Sequence, residues 1–179
     1  MIITMSGPPG AGDTTTARIL AKKLNYFLLE IGEVGKHIAQ EQGYNIAEFW
    51  EQIKKHPDKL RDFNETIDKK QTEIVKSERN VIVNSKLGAY KLNADLKIFI
   101  NAPLQVRAER VAEREDIPLN EARERITKRE KSEKEEWLKL YGIDMGNLSV
   151  YDLVINSGKL TAEDTADIIL EYLQKIKAY

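Results

Sequence analysis

Near the start of the chain, Gly7-Pro8-Pro9-Gly10-Ala11-Gly12-Asp13-Thr14-Thr15 follows the apolar run Ile2-Ile3-Thr4-Met5 and precedes a helical pattern. Glycines at this spacing let backbone N–H groups converge on an anion without Cβ clashes. The helix that follows adds the partial positive charge of its N-terminus. Strand, loop and helix together match the context of the phosphate-binding motif G-x-x-x-x-G-K-[ST]. Residues 7–15 are therefore expected to cradle nucleotide phosphates, with the Thr14 hydroxyl available to Mg²⁺. One position breaks the motif: Asp13 stands where the lysine belongs. A carboxylate there is repelled by polyphosphate and competes with it for the same N–H groups. Two readings stay open. Either Asp13 points away and an arginine from a mobile segment supplies the charge, or Asp13 is a first-turn residue of a helix that no longer needs ATP.

A second cluster lies in the latter half. Arg107, Arg110, Arg114, Arg123, Arg125 and Arg129 form an arginine-rich stretch. Guanidinium groups clamp phosphates through paired hydrogen bonds. Arg107, Arg110 and Arg114 fall at i, i+3, i+7, so one helix face presents all three. A solvated face paired with Glu109, Glu113 and Glu124 is the competing reading. Arg129 and Glu133 also share a face, where an ordinary ion pair is worth only ~0.2–0.5 kcal/mol. His37 and His56 show no metal-ligand spacing and read as surface residues. Trp50 and Trp137 read as packing, and Tyr90 as either a base-stacking or a rim residue.

Apolar runs at 2–5, 26–29, 80–84, 95–101 and 151–155 read as strands. Helical patterns cover 13–24, 31–42, 45–54, 58–77, 104–115, 119–139 and 161–177, the last capped by Thr161. This alternation predicts an α/β fold, a parallel sheet with helices on both faces. The charged stretches 31–77 and 116–140 are too long for simple crossovers and read as appendages.

The 179 residues suffice for one domain, 41% apolar and 32% charged, with net charge −1. That balance gives no global attraction to nucleic acid or anionic membrane. Zero cysteines exclude disulfides, zinc–thiolate sites and thiol nucleophiles. No apolar stretch approaches the ~20 residues that span a bilayer, and no signal peptide is visible, so a cytoplasmic protein is expected.

With these residues in view, the chain resembles the archaeal cytidylate kinases, a branch of the nucleoside monophosphate (NMP) kinases. The resemblance is carried by residues 2–10, by Thr14-Thr15-Thr16, Gly32-Glu33, Ile67-Asp68 with Gln71, and Ala94-Asp95-Leu96-Lys97-Ile98. It continues in Arg107-Ala108-Glu109-Arg110, Arg129-Glu130, Ser132-Glu133-Lys134, Tyr141-Gly142-Ile143-Asp144 and Tyr151-Asp152-Leu153-Val154-Ile155-Asn156. It implies a three-layer P-loop fold with core 1–30, 78–106 and 148–179, an NMP-binding segment at about 31–77 and a lid at about 107–140. The reaction implied is ATP plus CMP or dCMP, with Mg²⁺, giving ADP and the diphosphate. Lys36, Lys70 and Lys86, where the family has arginines, would hold the acceptor phosphate. Asp68 would read the base or hold the segment. Arg129 and Glu133 would bind the cytidine nucleotide, and Arg110, Arg114 and Arg129 would neutralise the transferring group. A monomer is expected, with small nucleotides as its partners. Asn84-Ser85 replaces an acid and glycine usual in the family. Asp13, Asn84 and the lysine positions leave two alternatives: a weak or inactive nucleotide-binding paralogue, or a kinase for another small acceptor.

Overall fold

Five short β-branched and aliphatic runs, each separated from the next by helical sequence, have only one economical arrangement, a parallel sheet. A computed structural model has this form and describes residues 1–41, 43–45, 49, 53 and 55–176. The strands are β1 (Ile2–Ser6), β2 (Phe27–Glu30), β3 (Val81–Asn84), β4 (Leu96–Asn101) and β5 (Leu153–Asn156). They lie in the order β2-β3-β1-β4-β5, every neighbouring pair parallel. Strand order reverses beside β1, so the loop after β1 leaves the middle of the sheet at the place where open α/β sheets bind ligands.

Alternation along the strands separates two faces. Ile3, Met5, Ile82, Leu96, Ile98 and Ile100 point to one side and pack on α1 (Asp13–Leu24) and on the closing helix α7 (Ala162–Ile176) through Ala17, Leu20, Ile169 and Leu173. Ile2, Leu29, Val81 and Val83 point to the other side, against Val34 of α2 (Ile31–Glu41) and Val75 of α3 (Pro57–Ser77). The three layers follow from this division. Thr161 caps α7 as expected, its hydroxyl accepting the Asp164 N–H at 3.0 Å while the Asp164 carboxylate accepts the Thr161 N–H at 2.9 Å.

Two helical pieces stand outside the layers. Between β2 and β3, α2 and α3 enclose a small core of Ile38, Phe49, Phe63 and Ile67, with the rings of Phe49 and Phe63 4.7 Å apart. The helix expected over 45–54, and Trp50 with it, fall on a stretch of which only Asn45, Phe49 and Ile53 are described; residue 177 likewise lies outside the described residues. After the short α4 (Gly88–Lys91), which the sequence pattern did not announce, β4 leads to a helical hairpin. Its arms, α5 (Leu104–Glu115) and α6 (Leu119–Tyr141), enclose Ala108, Val111, Ala122 and Ile126. Leu140 near the end of α6 packs on the core between α2 and α3, so the two pieces touch.

Strand β5 starts two residues later than its apolar run suggests, because the Tyr151 N–H closes the helical turn at 148–150 on the Leu148 carbonyl. The Tyr151 hydroxyl lies 2.9 Å from that of Ser6, and the Asp152 carboxylate accepts the Lys97 N–H at 2.8 Å. Asp95 does the same for the Ile2 N–H at 2.6 Å.

Ile98 is fully buried in β4 between β1 and β5. Ile98→Ala should cost about 2–5 kcal/mol, measured as a fall in the urea midpoint at unchanged m-value.

Candidate active site

A loop can aim its N–H groups at an anion only if its carbonyls are satisfied elsewhere. Residues 7–12 meet this condition through buried partners. Gly10 (φ 82°) and Gly12 (φ 93°) take left-handed conformations that turn successive N–H groups to one side. A Cβ on Gly7 would stand 2.3 Å from the Ile100 carbonyl oxygen, so that position admits nothing larger. Ala11, fully buried, donates its N–H to the Pro8 carbonyl at 3.0 Å.

The carbonyls meet two arginines from α5. Arg107, 7% exposed, donates to Pro9 O at 3.2 Å and Ala102 O at 2.9 Å, and forms an ion pair with Glu130 of α6 at 2.9 Å. Arg110 donates to Ala11 O at 3.3 Å, Ser157 Oγ at 3.1 Å, Ser157 O at 2.8 Å and Leu160 O at 3.2 Å. The buried Ser157 hydroxyl in turn donates to Ala11 O at 2.7 Å. The helical spacing of Arg107 and Arg110 does bring both to the loop. They meet its carbonyls, so here they brace the cradle. Arg114, third on that face, is exposed and pairs with Glu115 at 2.7 Å. Arg125 joins Glu115 and Glu121 in the same solvated network.

The inner side of the loop carries Asp13, Thr14 and Asn84. The surroundings orient the Asn84 amide so that its nitrogen donates to Asp13 Oδ2 at 3.3 Å and its oxygen accepts from the Thr14 N–H at 3.1 Å. Burial pushes the Asp13 carboxyl above its ordinary value, against the pull of Lys86, the backbone N–H groups of Asp13 and Thr14, and Asn84. The carboxylate thus sits among the donors at the helix N-terminus. Thr14 Oγ1, the Asp13 carboxylate and the Asn84 amide oxygen are hard oxygen donors of the kind Mg²⁺ takes. Thr15 is exposed at the loop's edge.

Lys86 lies across the loop. Its Nζ donates to Gly7 O and pairs with Glu133 of α6 at 3.5 Å. Glu133 also accepts from Arg129 Nε at 2.7 Å. Burial alone would raise the Glu133 carboxyl; the Lys86 and Arg129 charges outweigh it and hold the group below the usual glutamate value. The pair read as Arg129–Glu133 is therefore a three-way cluster with Lys86. A cleft of ≈ 320 Å³ opens between Pro8, Pro9, Phe99, Lys86, Glu133 and Met145.

The remaining candidates are spread wider. Lys36 is exposed on α2 and pairs with Glu33 at 2.6 Å. Asp68 pairs with Lys91 at 3.3 Å, and the Lys91 ammonium stands 3.6 Å over the Tyr141 ring. Lys70 is half-buried on α3 and Gln71 fully buried. Tyr90 is a rim residue: its hydroxyl donates to Asp144 O at 3.1 Å and Asn147 O at 3.2 Å, and burial pushes it up to about 12. Trp137 stacks on Tyr141 at 5.9 Å. His37 is exposed beside Glu41, and no group of three metal-ligating side chains occurs among the described residues. Sequence reasoning gave no role to Ser157, a lone serine after a strand with no spacing signal. It also left Glu130 undistinguished among the acids around it.

A sequence model of the cytidylate kinase-like family matches residues 2–159. A protein named cytidylate kinase from Archaeoglobus fulgidus is 41% identical over 180 aligned positions, covering 99% of this chain and 98% of its own length. Another of that name, from Sulfurisphaera tokodaii, is 37% identical and covers 97% and 95%. Among solved structures, a shikimate kinase from Acinetobacter baumannii in complex with shikimate matches with a TM-score of 0.65 at 19% identity, covering 99% and 95% of the two chains. A shikimate kinase from Aquifex aeolicus matches at 0.59 and 24%, covering 99% of both. The two structures share the fold.

The raised Asp13 carboxyl carries a stability consequence. A group that binds its proton more tightly when folded costs nothing below its unfolded value, about 3.9. It then penalises the fold increasingly as pH rises through the folded value. Asp13→Asn, which resembles the protonated acid, should raise the urea midpoint at pH 7. The gain should shrink as pH is lowered toward about 4. Equal stability of the two proteins at pH 7 would show that the carboxylate costs nothing.

Proposed function

The chain belongs to the cytidylate kinase-like family, and from that premise we propose that it transfers a phosphoryl group from ATP to CMP or dCMP, giving ADP and the diphosphate. The observation that carries the reading is the Glu133 carboxylate, held ionised by Lys86 and Arg129 at a cleft bounded by the phosphate loop. A carboxylate accepts from the cytosine 4-amino group and repels the carbonyl that uracil has there, the same logic by which acids read cytosine in nucleic acids.

The backbone N–H groups of Gly10 and of residues 12–15 take the ATP phosphates, aided by the α1 dipole. Thr14, with Asp13 and Asn84 beside it, is the place for Mg²⁺, which supplies charge neutralisation on the phosphate oxygens when bound. Lys36 and Lys70 are assigned to the acceptor phosphate, where lysine supplies charge without the guanidinium fork. Asp68, tied to Lys91, and buried Gln71 hold the segment in place. Arg129 faces the transferring group from α6. Arg110 lends its charge through the loop it braces, and Arg114, paired in solvent, is given no part. Phosphoryl transfer then needs alignment and charge, with no general base, because the attacking phosphate oxygen is already ionised. The α2–α3 piece and the α5–α6 hairpin are the acceptor-binding segment and the lid, and the lid's task is to exclude water.

Turnover with CMP and dCMP well above UMP and AMP, read in an assay coupled to ADP release, is the expected result; no turnover with any monophosphate at high enzyme concentration sinks the reading. Glu133→Gln should raise KM for CMP about 5–150-fold, as a lost base contact of ~1–3 kcal/mol requires. It should also narrow the preference for CMP over UMP.

A further inference from the structure

The phosphate loop lacks its own cation, and the fold supplies one from the neighbouring strand. In the β1–β3 ladder Met5 is level with Asn84. Both chains leave the sheet at this end, β1 into the loop at Gly7 and β3 into the turn that carries Lys86. Lys86 Nζ indeed donates to the Gly7 carbonyl, at the first residue of the loop. Its charge reaches Asp13 on one side and Glu133 on the other. Its side chain, 26% exposed, lines the cleft together with Gly7, Pro8 and Pro9.

We propose that Lys86 takes the place of the missing loop lysine: its ammonium binds the terminal phosphates of ATP and neutralises the transferring phosphoryl group, with Glu133 as its resting counter-ion. Position 13 and position 86 have exchanged the charge roles of the common motif. The two arginines that meet the loop are already committed. Arg107 and Arg110 face its carbonyls with their terminal nitrogens engaged by buried partners. Lys86 is a point charge on a flexible stem with three donors. It can keep Gly7 O and exchange carboxylate partners for phosphate oxygens without leaving the loop.

In the transfer, a bond forms from an ionised acceptor-phosphate oxygen to the γ-phosphorus. The bond from that phosphorus to the β–γ bridging oxygen breaks, and ADP leaves with the electron pair. Lys86 stays protonated throughout, so no proton moves. This assignment rests on the kinase reading but differs from it in a measurable way. A lysine that only grips the acceptor phosphate affects CMP; one that replaces the loop lysine affects ATP with no acceptor present.

The test is calorimetric titration of MgATP into wild type, Lys86→Met, Lys86→Arg and Asp13→Lys/Lys86→Met, without acceptor, each checked for folding by its thermal melt. Lys86→Met should weaken ATP binding about 10–150-fold, the loss of one charge-assisted hydrogen bond, and lower kcat by about 10²–10³. Lys86→Arg should keep most of the affinity. Returning a lysine to position 13 in the double variant should restore ATP binding to within a few-fold of wild type. The idea is overturned if Lys86→Met binds ATP normally and raises only KM for CMP. It is equally overturned if the double variant binds no better than Lys86→Met. Should Lys86→Met not fold, the double variant decides alone: ATP binding like wild type supports the exchange of roles, and its absence removes it. A wild type that binds no ATP at all overturns this assignment and the kinase reading together, whereas normal ATP binding by Lys86→Met leaves the kinase reading standing.

Discussion

The carbonyl groups of residues 7–12 govern what the rest of the site can do. Every residue of this loop brings a carbonyl and all but Pro8 and Pro9 an N–H, so a surface of converging N–H groups requires an opposite surface of satisfied carbonyls. Here that opposite surface is built from Arg107, Arg110 and Ser157, which come from α5 and from the turn after β5. The loop is therefore fixed by elements more than ninety residues away in sequence. The order β2-β3-β1-β4-β5 brings them together, because β4 and β5 lie beside β1 on the side where the loop emerges.

Charge at the loop follows from the same arrangement. Two arginines lie behind it, and an acid, Asp13, lies inside it. A lysine at position 13 would stand beside Lys86 as well as in front of those arginines, with no carboxylate of its own. An acid there, opposed by Lys86, keeps the empty cradle nearer to neutrality. The cost is visible in the direction of the Asp13 shift: burial outweighs the favourable charges and donors around it.

Much of this was legible in the sequence, and the limits fall at identifiable residues. The strand–loop–helix at residues 2–24, the parallel sheet and the two helical appendages follow from period and glycine spacing, which are local signals. The spacing of Arg107, Arg110 and Arg114 put all three on one helix face, of which the first two meet the loop and the third lies in solvent. It could not say which face of the loop they would meet, because a guanidinium pairs equally well with a carbonyl and with a phosphate. Glu133 was legible as the partner of Arg129, four residues away on one helix. Its second partner, Lys86, depends on where α6 falls across β3, and no local pattern encodes that. Ser157 was invisible for the same reason. Tyr151 reads as strand because it continues an apolar run, yet its N–H closes the turn at 148–150 on Leu148 O, which no local apolar pattern shows.

The face of α6 that meets the loop adds a last consequence. Glu130 and Glu133, three residues apart, reach Arg107 and Lys86 respectively. The first of these cations braces the carbonyl side of the loop and the second faces its cleft. Swinging α6 away would leave the buried Arg107 guanidinium with only its two carbonyl acceptors, an expensive loss for a desolvated charge. Release at Glu133 is cheaper, since Lys86 retains Gly7 O and Glu133 retains Arg129. The two contacts thus differ in kind. Glu130 ties α6 to the frame of the loop, while Glu133 can part from Lys86 and keep Arg129. A helix anchored at one residue and exchangeable at the next turn can shift at its cleft side without surrendering the loop it holds in shape.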